Sequence, residues 1–162
     1  MIFVRYPDPA LSRPAARRDI VDDRLRGTGE RLLAAAKEAK AYGLAAAHIG
    51  EIEPVVVISG DPEGRDYLLL FNPTVTAVAA ETEPGEEGSV SLPGVRISID
   101  RPIWAEVGYM DAQGKPLTAR FERFAARVAL HEIEQMNGVF FLNKVSRLKR
   151  DMVLKKARKL SG

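Results

Sequence analysis

Two spacings of apolar residues alternate along this chain, one near 3.6 and one near 2, and their order predicts a mixed architecture. Leu25, Leu32, Leu33, Ala36 and Ala39 recur at helical spacing behind Asp22 and Asp23, either of which can cap a helix running to about Tyr42. Gly27 and Gly29 weaken the first turns, so a later start is expected. After Gly43 the period shortens. Strands are predicted over 44–49, 54–59, 67–71 and 74–80, separated by a turn at 61–64 and by Asn72-Pro73. Further strands are expected over 95–99, 103–110 and 117–121, the last two joined across Asp111-Ala112-Gln113-Gly114. A helix over 122–137, stopped near Gly138, and a basic helix over about 146–160 complete the chain. Ahead of everything, Tyr6-Pro7-Asp8-Pro9 reads as a rigid turn and Pro14 continues an irregular arm. A helix, a long antiparallel set of strands and then helices indicate an α+β fold in a single domain spanning 1–162.

The helix over 122–137 carries the most informative pattern. Phe124, Val128, His131 and Gln135 share a sector of roughly 40° at ~100° per residue, with Ala125 and Glu132 beside them. Ala126, Ala129, Leu130 and Ile133 make the opposite side apolar too, so this helix is expected at the centre of the fold, covered by sheet on more than one side. His131-Glu132-Ile133-Glu134-Gln135 is one residue away from H-E-x-x-H, which places two imidazoles on one helix face beside a general-base Glu. Here the second imidazole is a Gln. On the helix alone, a buried His bonded to a Gln competes with metal ligation as the reading.

Composition narrows the chemistry. The chain has 162 residues, 46% hydrophobic and 28% charged, ordinary for a globular domain. With no cysteine, it has no disulfide, no thiolate ligand and no cysteine nucleophile, and His48 is its only other histidine. The first residues, Met1-Ile2-Phe3-Val4-Arg5-Tyr6, are too short and too charged for a signal peptide, and no run approaches the length needed to span a bilayer. A cytoplasmic protein with no membrane partner is the expectation. Of the net +2, a local +6 comes from Arg147, Lys149, Arg150, Lys155, Lys156, Arg158 and Lys159 against Asp151, leaving the rest near −4. That helix is either a footprint for a polyanion or a solvated face docked by Val145, Leu148, Met152 and Leu160. Trp104 reads as core or sheet surface. Glu81, Glu83, Glu86 and Glu87 read mostly as a solvated loop, with Gly85 and Gly88 in a tight turn.

Three segments, in this order, resemble the motifs of the peptide deformylase family. Gly43-Leu44-Ala45-Ala46-Ala47-His48-Ile49-Gly50 is similar to G-L-A-A-P-Q-I-G, and Glu87-Gly88-Ser89-Val90-Ser91-Leu92-Pro93-Gly94 to E-G-C-L-S-V-P-G. His131-Glu132-Ile133-Glu134-Gln135-Met136-Asn137-Gly138 is similar to H-E-x-D-H-L-N-G. Asn72-Pro73, Arg101-Pro102, the hairpin from Tyr109 to Lys115, Ala126-Arg127 and Leu148-Lys149-Arg150 match as well. The resemblance implies antiparallel sheets around a central helix. It also implies removal of formyl from N-formylmethionine of nascent chains, by a divalent metal held by the motif Cys and both motif His. Carried over, the ligand positions become Ser89, His131 and Gln135, the proton shuttle Glu132, and the oxyanion-binding Gln becomes His48. The substrate cleft falls to Gly43, Leu44, Glu87, Gly88 and Val90, and a family Gly ahead of the helix appears as Arg123.

These exchanges fall on the chemical positions. A serine hydroxyl brings no charge to a cation near pH 7, and a carboxamide oxygen suits calcium or magnesium better than zinc or iron. The leading expectation is therefore a degenerate deformylase-like protein with no metal cofactor, in which His48, Ser89, His131 and Gln135 form a hydrogen-bonded cluster. It would bind N-terminal (formyl)methionyl peptides by strand addition, contact the ribosome through the segment from Arg147 to Lys159, and leave DNA alone. An alternative keeps catalysis with Fe2+ or Zn2+ on His48 and His131, charge being supplied by Glu132 or Glu87. A second alternative is a metal-free hydrolase using Ser89, His131 and a nearby carboxylate.

Overall fold

The computed structural model describes residues 2–63 and 66–161, with side chains up to 159 in the last helix. Its elements follow the order α1 (Asp23–Ala39), β1 (Gly43–Ala45), β2 (Val55–Ser59), β3 (Tyr67–Val78), β4 (Thr82–Ser89), β5 (Leu92–Pro102), β6 (Trp104–Met110), β7 (Pro116–Glu122), α2 (Phe124–Met136) and α3 (Arg147–Ser161). Short 3-10 turns occupy Pro9–Ser12, Ala46–Ile49 and Phe141–Lys144. Five strands form an antiparallel sheet in the order β1-β2-β3-β6-β7, while β4 and β5 make a separate hairpin. The fold is α+β, as expected.

The unbroken run Val55-Val56-Val57-Ile58 explains the layering. All four residues are buried, because alternate side chains enter different cores. Val55 and Val57 join Leu25, Leu32, Ala35 and Ala36 of α1, whereas Val56 and Ile58 join Val128, Ala129, Ile133 and Met136 of α2. The large sheet thus lies between two helices. A third apolar cluster joins Val95, Ile97 and Ile99 of β5 to Leu11, Phe140, Phe141 and Leu142. Because α2 also touches β5, it is enclosed between the large sheet and the hairpin, and ten of its thirteen residues are buried.

Local chemistry sets the boundaries. Asp22 caps α1 by accepting from Leu25 N at 2.9 Å, and Lys40 ends it in the left-handed region at φ 54°. Despite its two glycines, α1 starts at Asp23. Gly29 has a packing reason, since a Cβ there would sit 2.8 Å from Phe71 Cζ. Arg123 precedes α2 at φ 52° and ψ −115°, which accounts for glycine at the equivalent position of the deformylase pattern.

Several expectations are corrected. The strand predicted over 44–49 stops at Ala45, because the His48 ring accepts Ala45 N–H at 3.0 Å and the chain coils into a 3-10 turn. The strands over 67–71 and 74–80 are one strand, irregular around Asn72-Pro73. Asn72 holds the N-terminal arm there, accepting from Arg18 N at 2.9 Å and donating to Arg18 O at 2.6 Å. The acidic stretch predicted as loop and tight turn is strand β4, paired with β5 from Thr82↔Pro102 to Ser89↔Leu92. Gly85 lies inside that strand because a Cβ would meet the Arg127 guanidinium at 2.7 Å. On α3 the docking stripe differs in part from the one predicted: Val145 packs, but Leu148 and Met152 are 73% and 61% exposed, and Val153, Leu154 and Ala157 pack in their place. The Leu160 side chain and the Gly64 end of the predicted 61–64 turn lie outside the described residues. Trp104 is on the sheet surface, with the Arg120 guanidinium 4.1 Å above its ring.

Substituting Gly29→Ala tests the α1–sheet packing. The helix-propensity gain of up to ~1 kcal/mol is outweighed by the clash with Phe71, so urea denaturation should show a net loss of about 1–2 kcal/mol.

Candidate functional site

The site begins with a buried carboxylate. Glu87, in β4, points between the sheets and is 6% exposed, a position no carboxylate holds without partners. Arg101 of β5 donates to it through Nε at 2.8 Å and Nη2 at 2.9 Å, a bidentate pair. Arg127 of α2 adds a contact at 2.8 Å, and His131 Nδ1 lies 2.8 Å from the other oxygen. Arg127 also binds the carbonyls of Glu83 and Ile99, and Arg101 reaches Glu134 at 2.6 Å. Burial alone would raise the Glu87 pKa, but the Arg101 and His131 bonds hold it down at about 2. Burial opposes protonation of His131, yet Glu132 and Glu87 outweigh it and raise its pKa. With Nδ1 tied to Glu87, the ring turns its other nitrogen to the cleft that His131 lines.

That cleft, of about 840 Å³, runs between β1 and the β4–β5 hairpin. Gly43, Glu87, Gly88, Ser89, Val90, His48, His131 and Glu132 line it. Leu44 does not; it is fully buried in the α1 core, because successive residues of β1 face opposite ways. Gly43 allows β1 to approach α2, since a Cβ would lie 2.7 Å from Val128 and 2.9 Å from Glu132 Cγ. Glu132 Oε1 is buried without a hydrogen-bond partner, and burial raises its pKa to about 7. His48 is 1% exposed; burial, then the charge of His131, lowers its pKa to about 3, so the ring is neutral. Because Ala45 N–H occupies Nδ1, the ring proton sits on Nε2, which is buried and unpartnered.

Gln135 is the clearest correction. It does not face the cleft: its amide donates to Leu11 O at 2.8 Å and clips the N-terminal arm to α2. Nor does the expected hydrogen-bonded cluster form. Ser89 Oγ accepts from Ser91 N at 3.1 Å, and no hydrogen bond joins any two of His48, Ser89, His131 and Gln135 among the described residues.

With this geometry in view, comparison with known proteins is decisive. A family model described as Polypeptide deformylase matches residues 1–151. The chain belongs to the peptide deformylase family. It is 38% identical over 151 residues to a peptide deformylase-like protein of Agrobacterium fabrum, covering 93% of this chain and 91% of that one. A peptide deformylase of Brucella suis is 35% identical over 162 residues, covering 99% and 93%. The crystal structure of peptide deformylase from Ehrlichia chaffeensis in complex with actinonin matches with a TM-score of 0.90 at 28% identity, covering 98% of this chain and 96% of that one.

The metal that deformylase resemblance implies does not suit these donors. Of the three carried-over positions, only His131 offers a strong ligand to the cleft, since Gln135 is committed to Leu11 and Ser89 is a neutral hydroxyl. A two-histidine set fares no better, because His48 Nε2 carries the proton and a ligating nitrogen needs its lone pair. Among the described residues no three His, Asp or Glu side chains gather as a metal site. A Ser–His–acid arrangement is half present: Glu87 orients His131, but Ser89 does not hydrogen-bond to that ring. In the sequence Arg101 and Arg127 stand out only as matches to the family pattern; in the structure they are the partners of Glu87. The signal available was that Glu87 opens the second motif, since a carboxylate drawn into the interior demands a buried cation.

Two pH effects of opposite sign follow. The folded-state pKa of Glu87 lies below its ordinary value of 4.5, so its stabilisation is present above pH 4.5 and lost as pH falls towards 2. That of Glu132 lies above 4.5, so its contribution is present below pH 4.5 and lost as pH rises through 7. Stability should be highest on a plateau between about pH 4.5 and 6.5, where the loss from Glu132 is offset by the gain from His48, whose pKa is lowered from 6.5 to about 3. Glu132→Gln should remove the Glu132 loss, about 3 kcal/mol, measured by urea denaturation between pH 5 and 8. Glu87→Gln leaves Arg101 and Arg127 without their shared anion and should cost about 3–5 kcal/mol at pH 7.

Proposed function

We propose that this deformylase family member binds N-terminal methionyl peptides, formylated or free, in its cleft and has lost the family's metal-dependent hydrolysis. The observation that carries the loss is the Gln135–Leu11 bond, which directs the side chain at the third ligand position into the arm and away from the cleft. Without thiolate and second imidazole, the affinity of such a site falls far below the 10–16 kcal/mol typical of a full structural zinc set. Water in the cleft then keeps its high pKa, and Glu132, itself near half-protonated at pH 7, has no hydroxide to deliver.

Peptide binding is supported by what remains. Tyr42, Phe124 and Val128 line the cleft, with the rings of Tyr42 and Phe124 edge to face at 4.9 Å, forming an apolar end suited to a methionine side chain. β1 is the free edge of the large sheet and β4 belongs to a two-stranded hairpin, so an extended peptide between them can pair its backbone on both sides. His48 Nε2–H supplies a neutral donor for a carbonyl oxygen.

Isothermal titration with formyl-Met-Ala-Ala and Met-Ala-Ala amides should detect binding. Formate release after loading with iron, zinc or nickel should stay on the order of 10³-fold or more below that of active relatives. Chelator-sensitive release at their rates would refute the loss, and binding of neither peptide would refute the retention. In the double variant Ser89→Cys, Gln135→His, metal content should rise towards one equivalent, with formate release rising by at least ~10-fold over the unaltered chain.

A further inference from the structure

The mouth of the cleft carries a charge pattern that neither the site chemistry nor the family motifs use. Four cations line it from four separate parts of the fold: Arg5 in the N-terminal arm, Lys40 at the end of α1, Arg96 in β5 and Lys156 in α3. All four are exposed, and none makes an ion pair or side-chain hydrogen bond among the described residues. This sets them apart from the arginines below. Arg101 and Arg127 are consumed by Glu87, and most other arginines of the body pair locally, as Arg31 does with Glu51 and Arg123 with Glu83. On the acidic side, Glu87 is neutralised by its arginines, leaving Glu86 as the exposed carboxylate at the mouth. Four unpaired cations against one carboxylate around a concave, partly apolar opening make a positive field where a ligand must enter.

The floor adds a second observation about the ligand such a field would act on. His48 is 1% exposed and presents an unpartnered Nε2–H among the residues lining the cleft. A buried donor of this kind is satisfied by a carbonyl or carboxylate oxygen. The flanking edges of β1 and β4 ask for an extended backbone, which favours a peptide over a nucleic acid.

We propose that the ring of Arg5, Lys40, Arg96 and Lys156 makes the cleft select peptides bearing acidic side chains a few residues beyond the one seated in the apolar end. This rests on the peptide-binding reading above and assigns it a ligand class. It also gives the basic α3 a role at the cleft: Lys156 faces the mouth while the same helix docks through Val153, Leu154 and Ala157. Exposed pairs are individually weak, so the selectivity is a modest, salt-sensitive sum of contacts.

Isothermal titration of the full chain with four amidated peptides tests this: formyl-Met-Ala-Asp-Glu, formyl-Met-Ala-Ala-Ala, formyl-Met-Ala-Lys-Lys and acetyl-Ala-Ala-Asp-Glu. At low salt the first should bind about three- to tenfold more tightly than the second, and the third more weakly still. The preference should shrink to less than about twofold in 0.5 M NaCl. The double variant Arg5→Glu, Lys156→Glu changes only exposed side chains and should reverse the order, with thermal unfolding reporting that it remains folded. Equal affinities for the first three peptides, or no reversal in the folded variant, would overturn the selectivity while leaving the methionyl reading intact. If the acetyl-Ala peptide binds as tightly as its formyl-Met counterpart, methionine anchoring fails and the charge selectivity stands. Binding of none overturns both, and an RNA oligonucleotide that binds as tightly as the acidic peptide overturns the assignment to peptides.

Discussion

The fold turns on one buried anion. Glu87 sits where β4, β5 and α2 converge, and its carboxylate accepts from Arg101, from Arg127 and from the His131 ring. The same two arginines extend the network to Glu134 and to the backbone of both strands of the hairpin. A two-stranded hairpin has little stability of its own. Here it is joined to the central helix by charge-assisted bonds that lose most of their worth if any partner is removed, because the others would remain buried and unpaired. The interaction therefore orients the helix against the hairpin and defines the wall of the cleft.

Above that wall the polar groups are arranged quite differently. His48 and Glu132 each keep a buried atom without a partner, and neither is rescued by a neighbour. Such atoms cost stability, and they stand beside a network whose charged members are paired. The contrast within one helix is sharp. His131 and Gln135 lie one turn apart, yet one is oriented by a carboxylate towards the cleft and the other holds the N-terminal arm. At a position where the family resemblance implies a ligand, the Gln135 amide holds the arm to the central helix, beside the bond from Ala15 N to Met136 O.

Much of this was legible from the residues. The capping aspartate, the apolar-all-round helix, the doubly buried valine run and the three motifs are local patterns, and local patterns survive translation into structure. What misled were positions whose environment is supplied from far away in the chain. The acidic stretch read as a solvated loop is a strand, because Arg101 and Arg127 stabilise Glu87 from 14 and 40 residues away. Gly85 looked like a turn residue, but it makes room for a guanidinium. Leu44 was assigned to the cleft by its motif, and strand alternation buries it instead.

The sequence by itself determined the class of fold, the family and the identity of every group available at the site, since these follow from periodicity, motif order and residue chemistry. Tertiary structure decided which of those groups face one another. Whether Gln135 turns to the cleft or to Leu11, whether Glu87 is solvated or sealed, and whether four distant cations share one opening depend on contacts between segments tens of residues apart. Those contacts are selected by shape, burial and charge once the layers close, and no local spacing along the chain encodes them.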